Sequence, residues 1–257
     1  MYDCIATIVT YNNSYESISG AINSFLSTEC NVKLIIVDNS PTPALQFEVD
    51  KIPLTYHYNG ENVGYGRGHN WGIFHSDPSK YHLILNPDVV IKAGSIDALV
   101  QFMDSNPTIG MVCPKVLNPD GSTQHLNKRY PTVFDLFARR FLTKELNIFF
   151  RDRLTRYETH DIGYETTCDV EFMTGCFMFC RTEILKAIGG FDERYFLHFE
   201  DCDLGRMIQK AGFRTVYFPD AIITHEWGRG PHKSFRMMLI MIRSMFQYFN
   251  KWGWRWY

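Results

Sequence analysis

Hydrophobic and polar positions follow two rhythms along the first half of the chain. Short apolar runs rich in β-branched residues lie at 4–10, 32–37, 54–58, 81–85 and 109–112. Runs of this length predict buried strands. Between them, apolar residues recur at helical spacing. Ile18, Ala21, Ile22 and Phe25 follow a cap at Asn13 or Ser14, a short helix runs through Trp71 and Phe74, and another spans about 95–103. Strands alternating with helices predict an α/β fold, a mostly parallel sheet with helices on both faces and right-handed crossovers.

The alternation breaks after residue 115. Asn118-Pro119-Asp120-Gly121-Ser122 reads as a turn or hairpin tip. Residues 128–160 are basic and aromatic, which suits helices packing on the sheet or a segment on a membrane surface. Order resumes with an apolar run at 170–180 and a helix at 182–187 closed by Gly189-Gly190. A helix then begins at about Asp201 and stops at Gly212, and a strand at 213–218 precedes a second short apolar run ending in Thr224-His225-Glu226-Trp227-Gly228. Residues 227–257 carry no acidic residue and read as a pair of amphipathic helices. No stretch looks like a linker. The expected organisation is one main domain, 1–228, with halves 1–115 and 116–228, and a basic aromatic element at 229–257.

Bulk properties narrow the function. The formal net charge of -2 argues against a dedicated nucleic-acid binder. The first residues lack the basic-then-apolar pattern of a signal peptide, and no apolar stretch is long enough to span a bilayer. The 7 cysteines form no Cys-x-x-Cys pair, as expected of a reduced, cytoplasmic chain. The glycine-rich turn Gly64-Tyr65-Gly66-Arg67-Gly68-His69-Asn70 lacks the third glycine of a dinucleotide fingerprint.

Two acidic clusters are candidates for chemistry. Leu85-Asn86-Pro87-Asp88 ends an apolar strand, and ligands of α/β sheets bind at that edge. A carboxylate there can hold a divalent cation against a diphosphate, although Asn-Pro-Asp is also ordinary turn chemistry. Glu200, Asp201 and Asp203 crowd a helix start. Mutual repulsion there would suit a general base, whereas capping and the helix dipole would explain the same residues structurally.

Four landmarks stand in order: Val9-Thr10-Tyr11-Asn12, Val37-Asp38-Asn39-Ser40, Leu85-Asn86-Pro87-Asp88, and Gly189-Gly190-Phe191-Asp192 leading to Glu200-Asp201-x-Asp203. From about residue 4 to 250 the chain resembles the family 2 nucleotide-sugar glycosyltransferases of GT-A fold. It looks most like their bacterial rhamnosyltransferase-like branch, which serves surface-polysaccharide and O-antigen assembly.

The resemblance implies a role for each matching residue. Thr10, Tyr11 and Asn12 sit where the family contacts the nucleoside. Asp38 sits where it binds the base or ribose, with Asn39 beside it. Asn62, Gly64, Arg67 and Asn70 fall on a turn near the donor's nucleotide. Asp88 matches the last acid of the metal-binding Asp-x-Asp, whose first acid is replaced by Asn86. His225 matches a further metal ligand, and Asp201 the catalytic base. The implied cofactor is Mn²⁺ or Mg²⁺. The implied donor is a nucleotide sugar, dTDP-L-rhamnose before a UDP-hexose, and the implied acceptor a glycan or polyprenyl-linked sugar. One base without a second nucleophile implies inversion at the sugar. The tail is expected to hold the protein peripherally on the inner face of the cytoplasmic membrane, or to form a homodimer through the same apolar face. Two other readings are a non-catalytic sugar-nucleotide scaffold and a sugar-phosphate nucleotidyltransferase. The latter usually opens with a glycine-rich loop bearing Arg and Lys, which residues 8–16 lack.

Overall fold

The structure, a computed structural model, describes residues 1–43, 45, 53–141, 150–226 and 235–257. In chain order the first half contains β1 (Tyr2–Thr10), α1 (Tyr15–Leu26), β2 (Val32–Asp38), β3 (Leu54–Tyr58), α2 (Tyr65–His75), β4 (Ser79–Leu85), β5 (Val89–Ile91), α3 (Ser95–Asp104) and β6 (Ile109–Leu117). The second half contains β7 (Asn127–Lys128), α4 (Val133–Phe141), α5 (Arg151–Tyr157), β8 (Cys168–Asp169), β9 (Phe172–Met173), β10 (Phe177–Arg181), α6 (Thr182–Ala187), α7 (Glu200–Lys210), β11 (Arg214–His225) and α8 (Phe235–Trp252).

The main sheet runs β3-β2-β1-β4-β10-β6-β11-β5, with β8 paired on β11. Its first four strands are parallel, as the βαβ rhythm predicts. The other half is mixed. Strand β10 is antiparallel to both β4 and β6, and β5 and β8 are antiparallel to β11. The expected α/β sheet is thus parallel through its first half and mixed in its second. The cause is local: a short turn at 174–176 sends β10 back from the edge where β4 ends, with Phe177 opposite Leu85.

Alternation along the strands sorts side chains onto two faces. Leu83 and Leu85 join a cluster with Ile18, Ile22 and Phe25 of α1 and Leu99 and Met103 of α3. Ile84, between them, joins the opposite cluster with Ile73 of α2, Leu185 of α6 and Leu204 and Ile208 of α7. Ser14 is the cap of α1, its Oγ accepting from the Ser17 N–H. The stop signals also hold: Gly189, Gly190 and Gly212 all have positive φ. The two short runs expected at 213–218 and before His225 are one strand, β11, whose register against β6 shifts between Phe218 and Ile222.

The tail differs from the expected helix pair. Its described part is one helix, α8, followed by a non-helical end at 253–257. Residues 227–234, including Trp227, Gly228, Arg229 and Lys233, lie outside the described residues. Asp203 anchors the helix, accepting from Lys251 Nζ (2.7 Å) and Trp252 Nε1 (2.6 Å). Burial raises the Asp203 carboxyl above its ordinary value, and these donors oppose the rise.

The closest approach of α2 to β1 is at Gly72, where an added Cβ would lie 2.1 Å from Thr7 Oγ1 and 2.9 Å from Thr7 Cβ. Thr7 has little room to yield, because its hydroxyl bonds the buried His82 (2.9 Å). Gly72→Ala is expected to cost about 1–3 kcal/mol of overpacking. A lower denaturation midpoint at unchanged m-value would show it.

Candidate active site

The end of β4 is brought to the end of β11 by a strand of three residues. β5 follows Asp88 at once and pairs antiparallel with β11, setting Val89 opposite His225. The Asp88 carbonyl accepts from the Glu226 N–H at 3.0 Å. As a result His225 Nε2 and Asp88 Oδ1 stand 3.4 Å apart. Asp88 Oδ1 is buried and has no hydrogen-bond partner.

Gln124, which the sequence reading did not single out, determines what His225 presents. Its Nε2 donates to the His225 carbonyl (2.8 Å) and lies 3.4 Å from the Leu117 carbonyl. The amide oxygen therefore faces His225 Nδ1, at 3.2 Å, and must accept its proton. In the neutral imidazole the lone pair is then on Nε2, which faces Asp88. A lone pair and a carboxylate oxygen facing each other suit a divalent cation with mixed nitrogen and oxygen ligands, Mn²⁺ or Mg²⁺. Among the described residues no group of three or more His, Cys, Asp or Glu could hold a metal. The described residues thus place two candidate ligands here, and diphosphate oxygens or water would complete the shell.

Asp201 stands on the neighbouring corner. The chain enters α7 through His198 and Phe199, both with positive φ (71° and 70°). Two successive non-glycine residues in the left-handed region are strained, a common feature of functional sites. Phe199 is held against Tyr248 of α8, ring centroids 5.4 Å apart. Asp201 Oδ1 accepts from the Cys202 N–H (2.8 Å) and Oδ2 from the Gly175 N–H (3.0 Å). The Gly175 carbonyl lies 2.6 Å from the Tyr65 hydroxyl, which is 3.0 Å from Asn86 Oδ1 and shares its one proton between the two. Gly175 and Tyr65 thereby tie Asp201 to the Asn86-Pro87-Asp88 corner.

The three acids at the start of α7 have separate duties. Asp203 turns to the tail. Glu200 and Asp201 line a hollow of about 270 Å³ with Lys128, Phe172 and Met241. Burial raises both carboxyls, and the charge of Asp201 pushes Glu200 further. Lys128 and the two backbone donors oppose the rise on Asp201, whereas Glu200 Oε2 has no hydrogen-bond partner. Burial thus lifts Glu200 well above its ordinary value, while the two backbone donors and Lys128 hold back the rise on Asp201. Like-charge crowding was the cause expected from the sequence, but desolvation comes first.

The other candidates divide between open positions and scaffolding. Thr10 and Asp38 are neighbours at the edge where β1 and β2 end. Thr10 Oγ1 is buried without a partner. Tyr11 is exposed, and Asn12, with positive φ, donates its N–H to Ser40 Oγ (2.8 Å). Asp38 is fully buried, accepting from the Ser40 N–H (2.9 Å) and the Tyr56 hydroxyl (2.7 Å). Asn39 bridges the Gly64 carbonyl and Asn59, and Asn62 accepts from the Gly64 N–H. Gly64 is confined to glycine: φ is +93°, and a Cβ would lie 2.6 Å from the Phe196 carbonyl oxygen. Asn70 is a clamp, its oxygen accepting from the Phe191 N–H (2.7 Å) and its nitrogen donating to the Phe191 carbonyl (2.8 Å). Arg67 and Asn70 line a hollow that includes neither Asp88 nor Asp201.

Comparisons with known proteins identify the family of the chain. The profile of glycosyltransferase-like family 2 matches residues 60–243, well over half of the chain. The chain belongs to this family.

Its relatives include rhamnosyltransferases. An N-acetylglucosaminyl-diphospho-decaprenol L-rhamnosyltransferase of Mycobacterium tuberculosis is 30% identical over 223 residues, which cover 80% of this chain and 71% of that one. The rhamnosyltransferase WbbL of Escherichia coli K12 is 22% identical over 227 residues, covering 82% and 79%. Among solved structures, GalNAc-T7 with UDP, GalNAc and Mn²⁺ superposes with a TM-score of 0.66 at 15% identity, covering 88% of this chain and 44% of that one. The mannosyltransferase PcManGT of Pyrobaculum calidifontis, with GDP-Man and Mn²⁺, gives 0.61 at 16% identity, covering 97% and 64%. The chain thus spans under half of the first structure and under two thirds of the second. These likenesses establish the GT-A type of fold.

Loss of the Gln124 brace is expected to weaken the cation site. Gln124→Leu frees the imidazole to rotate and exchange tautomers, so Mn²⁺ affinity should fall about 10–100-fold. Calorimetric titration of Mn²⁺ into the protein with nucleoside diphosphate present would measure it, with circular dichroism verifying the fold.

Proposed function

We propose that the protein is an inverting, cation-dependent glycosyltransferase. It moves a sugar from a nucleoside-diphosphate donor, dTDP-L-rhamnose before a UDP-hexose, to a hydroxyl of a lipid-linked sugar in bacterial surface-polysaccharide or O-antigen assembly. The observation that carries this reading is the joining of the Asp88–His225 pair to the Asp201 carboxyl through Tyr65 and Gly175 at one sheet edge. The rhamnosyltransferase relatives support the donor, and the diphospho-decaprenol acceptor of the mycobacterial relative supports the lipid-linked acceptor.

Residues 1–115 supply the donor half in this reading. Thr10 Oγ1 is free to bond the nucleoside. Asp88 and His225 would hold the cation, which when bound supplies positive charge to the leaving diphosphate. The 116–228 half supplies the proton acceptor. Asp201, held by two N–H donors, takes the proton of the attacking hydroxyl as it displaces the nucleoside diphosphate from the opposite face of the sugar. Burial and the charge of Asp201 both raise the Glu200 carboxyl beside it, which lessens the repulsion between the two.

The tail supports a peripheral contact with the membrane. No helix among the described residues is long and apolar enough to cross a bilayer. Helix α8 instead exposes Phe235, Leu239 and Phe246, and Trp256 and Tyr257 are exposed after it. Arg236 and Arg243 accompany them, and the helix itself carries no acid. Such a helix suits an interface with anionic lipid.

Activity is expected to need ionised Asp201, present above its folded pKa and lost as pH falls through it. Because that pKa is raised, the acid limb of kcat/KM should inflect above 3.8, the ordinary aspartate value. Asp201→Asn should cost about 10²–10⁴-fold in transfer, with donor binding retained. Glu200→Gln, which mimics the protonated acid, should keep transfer within a few-fold. Full activity in Asp201→Asn would remove Asp201 from this role.

A further inference from the structure

A second hollow, of about 290 Å³, lies against the one that holds Asp201. Tyr157 lines both. The segments at 128–131 and 171–172 form a shared wall: Lys128, Pro131 and Phe172 face the Asp201 side, Arg129 and Glu171 the other. The second hollow gathers the guanidinium groups of Arg129, Arg153, Arg156 and Arg255 against the carboxylates of Asp135 and Glu171, and with Asp161 on Arg129 a formal surplus of one positive charge remains.

The carboxylates nearby are already engaged. Asp161 takes both forks of Arg129 (3.0 and 2.8 Å), and Asp135 takes Arg153 Nε (2.6 Å). Glu171 accepts from the Tyr130 N–H at 2.8 Å. Arg153 is further fixed over the Tyr257 ring, 4.0 Å from its centroid. Arg156 and Arg255 form no ion pair among the described residues. Holding four guanidinium groups in one small hollow costs Coulomb energy, and a bound polyanion offsets it. Planar forks match phosphate oxygens in pairs.

We propose that this hollow binds the diphosphate of the lipid-linked acceptor, a deepening that rests on the acceptor reading given above. In such an acceptor a single sugar separates the reacting hydroxyl from the diphosphate. Here a single side chain, Tyr157, is common to the hollow of the base and the hollow of the arginines. The donor's own diphosphate belongs elsewhere, because Asp88 and His225 line neither hollow. The exposed ring of Tyr257 lies at the arginine hollow, and exposed Trp256 precedes it. Aromatic side chains in that position suit the start of a prenyl chain.

The test uses the full chain and Arg156→Gln/Arg255→Gln. Calorimetry with inorganic pyrophosphate, without added divalent cation, reads the hollow alone. Transfer kinetics compare a short-prenyl diphosphate-linked N-acetylglucosamine with an alkyl N-acetylglucosaminide that lacks the diphosphate. The double variant should lose pyrophosphate affinity at least about tenfold, as expected for charged hydrogen bonds. Its preference for the diphosphate acceptor, as a ratio of kcat/KM values, should fall at least as far. The lysine double variant should recover part of both. An unchanged ratio alongside weakened pyrophosphate binding would make the hollow a site for free anions and overturn the assignment to the acceptor. Equal pyrophosphate affinity in both proteins would overturn the site altogether. If wild-type protein transfers to neither acceptor, the functional reading and the acceptor assignment fall together, and the calorimetry still decides whether the arginines bind a polyanion.

Discussion

The pairing of β5 with the end of β11 is the contact on which the catalytic edge depends. Three residues, Val89–Ile91, turn back from the end of β4 and form a ladder with residues far along the chain. That ladder sets the Asp88 carboxylate, at the turn before β5, 3.4 Å from His225 Nε2. The bond from the Glu226 N–H to the Asp88 carbonyl continues the pairing past the strand's end. Gln124, delivered by the hairpin after β6, then fixes the imidazole from behind. A ligand pair built this way is rigid before any ligand arrives, and preorganisation of that kind makes cation binding and electrostatic stabilisation efficient.

Burial does comparable work on the other corner. Three acids stand within one turn of helix, and each lies in a different environment. Asp203 faces Lys251 and Trp252 and ties the tail to the domain. Asp201 faces two backbone donors, whereas Glu200 Oε2 faces none. Burial therefore raises Glu200 well above its ordinary value, with less opposing it than on Asp201, although the two residues are adjacent in sequence. The strained backbone at His198 and Phe199 is part of the same device, because it aims the start of α7 at Gly175. Tail and base are coupled as well: Phe199 packs on Tyr248, so docking of α8 supports the geometry on which Asp201 relies.

Much of this was legible before any coordinates. The apolar runs at 4–10, 32–37 and 81–85 are strands β1, β2 and β4 within a few residues, Ser14 caps its helix, and the glycine stops fall where they were expected. These are local signals, carried by side-chain period and by backbone freedom over a few positions. The landmarks at Thr10, Asp38, Asp88 and Asp201 were legible for a similar reason, since strand ends and helix starts are visible as changes of pattern. Strand β5 was not, because three residues are too few to show a period. The reversal of β10 was not, because the apolar run that encodes it looks the same in either direction. Asn70 reads as a polar residue in a glycine-rich turn, and only its two bonds to Phe191 show it to be a clamp.

The sequence by itself determined the strands and helices of the donor half, the edge at which chemistry would occur, and the acids available there. Tertiary structure decided which acid meets backbone donors and which does not, which histidine nitrogen faces Asp88, and which arginines share one hollow. The division has a physical reason. Secondary structure answers to neighbours within a turn or two of the chain, whereas desolvation, tautomer and electrostatic surplus are set by groups that folding brings from far along it.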